Sequence, residues 1–230
     1  MTGRLWGLTL CLLTLSALAS AQRGADSAVD GTRYAVAYVE VASASKPAFV
    51  RALKQYREAS QSQQGFGAID VFEQAGRPGH VVIVETWKDQ AAVDAHATST
   101  ATMMFRGTLQ PLRVSGYDER PYKTLTVAAA KSASGNRAVH VVTHVDVSNP
   151  AATVALLTKL ADASRAEAGC VRFDVLQHTM RANHFTVVES WASQQAYEAH
   201  VAAAHTKQYR DELQPLTGSP LDERVYASLE

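Results

Sequence analysis

Two pairs of tryptophan and histidine residues with the same spacing are the best candidates for chemistry in this sequence. Trp87 is followed nine residues later by His96, and Trp191 is followed nine residues later by His200. An imidazole titrates near neutral pH and can take or give a proton, so we assign these four as candidate catalytic residues. The alternative is that the tryptophans pack a helix against a sheet and that the histidines are structural, hydrogen-bonded residues.

A glutamate precedes each tryptophan by two residues in an otherwise apolar segment. Glu85 shares a strand face with Ile83 and Trp87, and an unpaired buried carboxylate is costly. We therefore expect Glu85 and its counterpart Glu189 to form salt bridges. The available cations with counterparts in both halves of the chain are Arg106, Arg120, Arg210 and Arg224.

Six of the eight histidines lie in the second half of the chain. This asymmetry predicts that the second half carries the more active site. The candidate substrate-binding residues there are His140, His144, His205 and Tyr209, and those in the first half are Tyr38 and Phe105. His140 and His144 share a strand face, but a metal would need a third ligand from elsewhere, so we predict no metal site.

These residues belong to a unit that occurs twice. An offset of 104 aligns residues 33–126 with residues 137–230 without a gap, and 31 of the 94 aligned pairs are identical. Chance does not explain this match, so the chain is a tandem duplication. We predict a first repeat at 33–126, a linker of small and polar residues at 127–136, and a second repeat at 137–230.

Each repeat reads as β-α-β-β-α-β. In the first repeat we predict strands at Tyr34–Val41, Phe66–Glu73, His80–Trp87 and Tyr117–Thr126, with helices at Pro47–Gln61, capped by Ser45, and from Asp89 to about Arg106. In the second repeat we predict strands at Val139–Val147, Cys170–Gln177, His184–Trp191 and Glu223–Leu229, with helices at Ala151–Glu167 and Ser193–Tyr209.

This element order is the ferredoxin-like split βαβ arrangement, an α+β fold. Four antiparallel strands form one sheet, and both helices cover one of its faces. The other face must also be buried, and two copies in one chain can bury it by closing a barrel-like core. The duplication is therefore predicted to fuse the two halves of a dimer.

The first 32 residues are expected to lie outside this fold. A basic start, an apolar run at 5–18 and the small residues Ala19-Ser20-Ala21 form the three-part pattern of a secretory signal peptide at 1–21, followed by a flexible lead-in at 22–32. The apolar run is too short to span a bilayer, so no stable membrane insertion is expected after cleavage. An uncleaved anchor is the alternative. We expect an exported protein, periplasmic or secreted.

Composition narrows the range of functions. With 47% hydrophobic residues the chain can build a core, and 22 basic against 22 acidic residues argue against a nucleic-acid partner. Two cysteines exclude a disulfide framework and clustered cysteine zinc sites. After signal removal only Cys170 remains, and we expect it to be a small buried residue.

The motifs resemble the antibiotic biosynthesis monooxygenase family across nearly the whole mature chain. They are Glu-Thr/Ser-Trp at the strand end, Ala-His on the helix, Leu-Gln-Pro-Leu, and Asp-Glu-Arg-x-Tyr, each present in both repeats. The resemblance implies the dimeric α+β barrel fold, here formed within one chain as an internal pseudo-dimer with further homo-oligomers possible. Family members include cofactor-independent monooxygenases that act on anthrone-type polyketides and quinols, haem-degrading enzymes, and proteins without known activity.

The resemblance thus implies a monooxygenase that oxidises a phenolic, quinol or polyketide-like aromatic small molecule with dioxygen. Such chemistry needs no cofactor, because a deprotonated phenol can itself pass an electron to dioxygen, while the protein supplies a base and excludes water. The alternative is a non-catalytic exported module of the same fold that binds a small molecule or serves in a stress response.

Overall fold

The computed structural model describes residues 31–131 and 138–229. The predicted signal peptide, nearly all of the lead-in and half of the linker lie outside the described residues. The boundaries predicted for the two repeats therefore stay a prediction. No helix among the described residues is long and apolar enough to cross a membrane.

The first repeat contains four strands and three helices. The strands are β1 (Arg33–Glu40), β2 (Phe66–Gln74), β3 (His80–Trp87) and β4 (Asp118–Thr126), and the helices are α1 (Lys46–Gln61), α2 (Gln90–Ala97) and α3 (Thr100–Leu109). A short 3-10 turn, Ser43–Ser45, precedes α1. Ser45 occupies the N-cap position, as predicted, but its side chain makes no capping hydrogen bond. Pro47 lies in the first turn, where its fixed φ suits the start of a helix.

The second repeat follows the same plan. Its strands are β5 (Val139–Asp146), β6 (Cys170–His178), β7 (His184–Trp191) and β8 (Asp222–Ser228), and its helices are α4 (Pro150–Arg165), α5 (Gln194–Ala202) and α6 (Ala204–Leu213), followed by the 3-10 turn Gln214–Leu216.

The second predicted helix of each repeat is in fact two helices. In the first repeat Asp89 caps α2 by accepting a hydrogen bond from the Ala92 amide, as predicted. Ser99 then adopts an extended conformation and caps α3 by accepting from the Thr102 amide. No glycine or proline marks this break, so the sequence pattern did not show it.

The eight strands form one closed barrel in the order β1-β3-β2-β8-β5-β7-β6-β4. Each repeat contributes a four-stranded antiparallel sheet, and β2–β8 and β4–β6 join the two sheets at their edges. This arrangement confirms the predicted fold class, two ferredoxin-like repeats fused into an intramolecular dimeric α+β barrel.

The barrel wall separates three buried regions. The interior is filled from both repeats, by residues such as Val36, Val84, Val142 and Val188. A second core lies between the first sheet and its helices, and a third lies between the second sheet and its helices, where Cys170 is buried as predicted. Because successive side chains of a strand point to opposite faces, each strand contributes one set of residues to the barrel interior and the other set to a helix-side core.

Glycines fix where each second strand meets its helix. Gly65 has φ of 79°, and a Cβ added there would lie 2.6 Å from the Cβ of Ala92 in α2. Gly169, its counterpart, has φ of 82°, and an added Cβ would lie 2.7 Å from Ala196 in α5. A side chain at either position would push away the helix that carries the candidate histidine.

Gly65→Ala is expected to destabilise the protein more than Gly76→Ala. Gly76 also has a positive φ, of 73°, but nothing lies within 4 Å of an added Cβ there. Both variants carry a left-handed penalty of about 1–2 kcal/mol, and Gly65→Ala adds about 1–3 kcal/mol of overpacking. Urea unfolding of both variants measures the difference, and equal losses would contradict the close contact with α2.

Candidate functional site

The candidate catalytic pair of the first repeat lies in the helix-side core. Trp87 ends β3 and is 1% exposed, and His96 lies on α2 and is 5% exposed. Their rings stack with centroids 4.1 Å apart. The structure therefore brings the predicted pair together, beneath the helices rather than inside the barrel.

A tyrosine links this pair to Glu85. The Tyr56 hydroxyl lies 2.6 Å from Glu85 Oε1 and 2.6 Å from His96 Nε2, and Trp87 Nε1 donates to Glu85 Oε2 at 3.1 Å. Gln63 Oε1 lies 2.8 Å from His96 Nδ1. Burial, followed by the charge of Glu85, raises the pKa of Tyr56, so this phenol stays protonated. We call these five residues the Tyr56 network.

The expected arginine partner of Glu85 was wrong. Arg106 instead donates to Glu119 Oε2 at 2.9 Å, and Arg120 donates to Asp118 Oδ2 at 2.6 Å. These arginines lie at the protein surface, whereas Glu85 faces α1 and α2, where neutral donors and a histidine are within reach. The second repeat has the same two surface pairs, Arg210 with Glu223 and Arg224 with Asp222.

The second repeat lacks the tyrosine. Leu160 occupies the position of Tyr56, so Glu189 keeps the donation from Trp191 Nε1 at 2.9 Å, while His200 Nε2 is 3.7 Å away. Burial raises the pKa of Glu189 to about 8. The substitution of one buried residue has thus replaced a hydrogen-bonded carboxylate by one that holds a proton near neutral pH.

In the second repeat the Nδ1 atom of the histidine contacts a glutamate instead of a glutamine. His200 stacks on Trp191 with centroids 4.5 Å apart, and Glu167 Oε1 lies 2.6 Å from His200 Nδ1 and 2.9 Å from His205 Nε2. Burial lowers the pKa of His200, while the bond to Glu167 opposes that shift. Among the described residues, Glu167, His200 and His205 are the group with the donor atoms and spacing to hold a metal ion.

A cavity of about 570 Å³ lies beside the Tyr56 network, between the end of α3 and β4. Its lining residues are Arg106, Gly107, Leu109, Gln110, Arg113, Tyr117 and Glu119. The pKa of the Tyr117 phenol is raised by burial, then by the charges of Glu119 and Glu85, which places the cavity wall within electrostatic reach of the network. Tyr117 packs on the same core as Tyr56 and Phe105.

The second repeat has different residues at the matching place. Leu221 stands where the first repeat has Tyr117, and Tyr197 stands where it has Val93. The Tyr197 hydroxyl donates to Glu223 Oε1 at 2.8 Å, and Glu223 is the counterpart of the cavity residue Glu119. The cavity between α3 and β4 thus lies in the first repeat, although the histidine count favours the second. These positions, at which the two repeats have different residues, are the signal in the sequence that could have identified Tyr117.

Three predicted substrate-binding residues lie inside the barrel, away from both Trp–His pairs. Tyr38 and His144 meet across the interior, with the hydroxyl 2.6 Å from Nε2. His140 lies between Ser190 and Ser228. Burial lowers the pKa of His140 to about 4 and that of His144 to about 3, so both rings are neutral at physiological pH. His140 and His144 share a face, as predicted, but the sheet separates them from His200.

One end of the barrel opens into a second cavity, of about 580 Å³. Its lining is strongly polar and includes His144, His178, His184, Asp146 and Arg181. Tyr122 and Asp146 flank His184, with heavy-atom distances of 2.8 Å to Nε2 and Nδ1 respectively. These groups satisfy one another, and the lining has little apolar surface to hold an aromatic ring.

Phe105 and Tyr209 pack in the helix-side cores. Phe105 stacks on Tyr56 with centroids 4.3 Å apart, behind the cavity of the first repeat. Tyr209, its counterpart, packs on the core of the second repeat, and burial raises its pKa. The assignment of these residues to substrate binding stays a prediction.

Comparisons with known proteins agree with this architecture. The family model described as antibiotic biosynthesis monooxygenase matches residues 32–106 and again 138–212. No curated protein sequence matches the chain.

Several solved structures share the fold. A protein from Fusobacterium nucleatum subsp. nucleatum, provisionally named a monooxygenase, is 15% identical with a TM-score of 0.79, and the match covers 87% of this chain and 93% of that one. A similarly named protein from Lactobacillus acidophilus is 15% identical with a TM-score of 0.73, covering 86% and 93%. An anthrone oxidase-like protein is 11% identical with a TM-score of 0.64, covering 88% and 93%. At these identities the likeness shows the fold alone.

Glu189→Gln is expected to flatten the pH dependence of stability. Because its pKa is near 8 in the folded protein and near 4.3 in the unfolded chain, the folded state holds an extra proton between these values. The contribution of Glu189 is then fully favourable below about pH 4 and is lost as pH rises towards 8, by at most about 1.4 kcal/mol per pH unit. The Glu189→Gln variant does not show this loss of stability with rising pH.

Urea unfolding from pH 5 to 9 tests this difference. Relative to wild type, Glu189→Gln should gain stability steadily up to about pH 8 and then level off. Glu198→Gln, on the exposed side of α5, is the matched control and should follow the wild-type curve. Parallel curves for wild type and Glu189→Gln would show that Glu189 is ionised in the folded protein.

Proposed function

Because the chain belongs to the antibiotic biosynthesis monooxygenase family, we propose that it is a monooxygenase that oxidises a phenolic, quinol or polyketide-like aromatic small molecule with dioxygen. The observation that carries the proposal is the cavity of the first repeat, which has room for a small aromatic molecule between α3 and β4. Its volume falls within the range of about 300–1,000 Å³ typical of small-molecule sites.

The lining of this cavity suits a phenol that must lose its proton. Arg106 lies 5.4 Å from the centre of the Tyr117 ring and is bound to Glu119, so a cation, an aromatic wall and a carboxylate meet at one place. In this proposal Glu119 accepts the phenolic proton and Arg106 stabilises the phenolate. Tyr117 stays protonated and provides a hydrogen-bond donor and a flat surface.

The reaction balances without an external reductant. For a substrate with an activated CH₂ group, the deprotonated molecule gives electrons to dioxygen, and a carbon–oxygen bond forms to give a hydroperoxide. Loss of water then leaves a carbonyl on that carbon. One oxygen atom stays in the product, the other leaves as water, and the two hydrogens of the CH₂ group end in that water.

The Tyr56 network supports the cavity from behind. The side-chain nitrogens of Trp87 and His96 all have hydrogen-bond partners within the protein, and both rings are buried. In this proposal they hold Tyr56 and the wall containing Tyr117 in place, without touching the substrate. Their assignment as catalytic residues, like that of Trp191 and His200, stays a sequence-based prediction.

Arg106→Gln should lower kcat/KM for oxidation by about 10²–10³-fold, the loss typical of removing one group that stabilises developing negative charge. The measurement is oxygen uptake by the full chain with anthrones and quinols as substrates. Arg210→Gln is the matched control, because Arg210 forms the same ion pair with Glu223 in the repeat where Tyr197 fills the corresponding place. It should retain activity within about twofold of wild type, since surface ion pairs contribute little to stability.

Equal losses in the two arginine variants would place the reaction outside the first-repeat cavity. Oxygen uptake that is absent across the panel, together with saturable binding of the same aromatics, would instead support the alternative, a non-catalytic binding or stress-related module. Both ring nitrogens of the buried His96 have hydrogen-bond partners within the protein, which favours that alternative. It also predicts that Trp191→Phe and His200→Ala leave ligand binding intact.

The same proposal includes export. The signal-peptide pattern at 1–21 supports a periplasmic or secreted location, where the substrate would be encountered. The partners are then a small aromatic molecule and dioxygen.

A further inference from the structure

Glu167, His200 and His205 form a cluster that the proposed oxidation does not use. Glu167 follows α4, His200 is on α5 and His205 is in the first turn of α6. We infer that these three side chains form a binding site for a divalent transition-metal ion of the zinc type. The site lies in the second repeat, apart from the cavity proposed for oxidation.

The donor atoms already converge. Glu167 Oε1 lies 2.6 Å from His200 Nδ1 and 2.9 Å from His205 Nε2, and the three atoms are within 4.8 Å of one another. In a tetrahedral zinc site with bonds of about 2.0–2.1 Å, neighbouring ligand atoms are roughly 3.3 Å apart. A shift of about half an ångström in the carboxylate therefore opens the cluster to the ion.

Two histidines and one glutamate are a donor set that zinc prefers. Three protein ligands leave the fourth position of a tetrahedral ion for water or another small ligand. Access is available from one side, because the His205 side chain is 28% exposed and the Glu167 side chain 17%, whereas His200 is 5% exposed. An ion can thus enter from solvent and be held against a buried ring.

The surroundings of His200 fix the orientation of its ring. Trp191 stacks on one face, and Phe173 meets the ring edge-on with centroids 5.7 Å apart. On the far side, His200 Nε2 faces Glu189 Oε2 at 3.7 Å. At this distance Glu189 makes no hydrogen bond to the ring, so the two aromatic contacts hold the imidazole in place.

The first repeat shows that the fold does not require these ligands. At the matching positions it has Gln63, His96 and Ala101, so only the histidine is shared. Gln63 Oε1 still lies 2.8 Å from His96 Nδ1, and the ring still stacks on its tryptophan. The carboxylate and second histidine are thus additions to a scaffold that folds without them, as expected of a binding site.

Calorimetric titration of the chelator-treated full chain with Zn²⁺ alone tests the inference. Wild type should bind one ion per chain, and Glu167→Gln and His205→Ala should each lower the affinity by at least about 100-fold, since a ligand is worth no less than the outer groups that support it. Both replacements resemble residues that the first repeat already contains. Circular dichroism and urea unfolding confirm that each variant is folded.

A converse variant provides the matched control. Gln63→Glu combined with Ala101→His gives the first repeat the same donor set and should raise the stoichiometry to two ions per chain. Absence of binding by wild type would overturn the inference. So would binding that survives in the combined Glu167→Gln, His205→Ala variant, because the ion would then be held elsewhere, for example by His178 and His184 at the end of the barrel. Since the readout is metal binding, failure of the proposed oxidation would leave the result unaffected.

Discussion

Neither four-stranded sheet of this protein can bury its inner face alone, and the pairing of β2 with β8 and of β4 with β6 solves that problem for both. The two edge pairings leave no free strand edge in the barrel and seal an interior filled by residues of both repeats. All candidate sites follow from this closure. Because the interior is packed across the two repeats, each sheet can offer a separate compartment only on the side that its own helices cover.

A buried glutamate at the end of the third strand shows how the two compartments have diverged. In the first repeat Tyr56 donates to Glu85 and also contacts His96, whose Nε2 lies 3.3 Å from Glu85 Oε2. In the second repeat Leu160 cannot donate, and burial raises the pKa of Glu189 instead. A buried carboxylate must find donors or keep a proton, and one substitution decides which.

The sequence predicted the fold well because the fold depends on features that the two repeats share. The strand from His80 to Trp87 was predicted with its correct ends, and the repeat offset predicted the closed barrel. The break before Ser99 was missed because no glycine or proline marks it. The arginine partner expected for Glu85 was wrong, since His96 lies within ion-pair distance instead. The sequence shows that a buried carboxylate needs a partner and does not show which side chain reaches it.

The site was harder to predict, for a physical reason. Alternation along a strand shows which residues share a face, and it correctly paired His140 with His144. It does not show whether that face meets the barrel interior or the helices, because both sides are apolar and buried. The two repeats differ around the cavity next to Tyr117, where the second repeat has Leu221 in place of Tyr117 and Tyr197 in place of Val93. Differences between the repeats are therefore more informative about the sites than their identities.

Fusion of the two copies explains why such differences can persist. In a homodimer every substitution appears in both sites, whereas here each helix-side compartment changes alone. The interior is more constrained, because Tyr38 of one repeat contacts His144 of the other, and Tyr122 contacts His184 in the same way. A change at one of these positions leaves a buried polar atom unpaired on the opposite repeat. The interior residues must therefore change in pairs, while an open cavity in one repeat and a carboxylate–histidine cluster in the other can evolve separately on the same barrel.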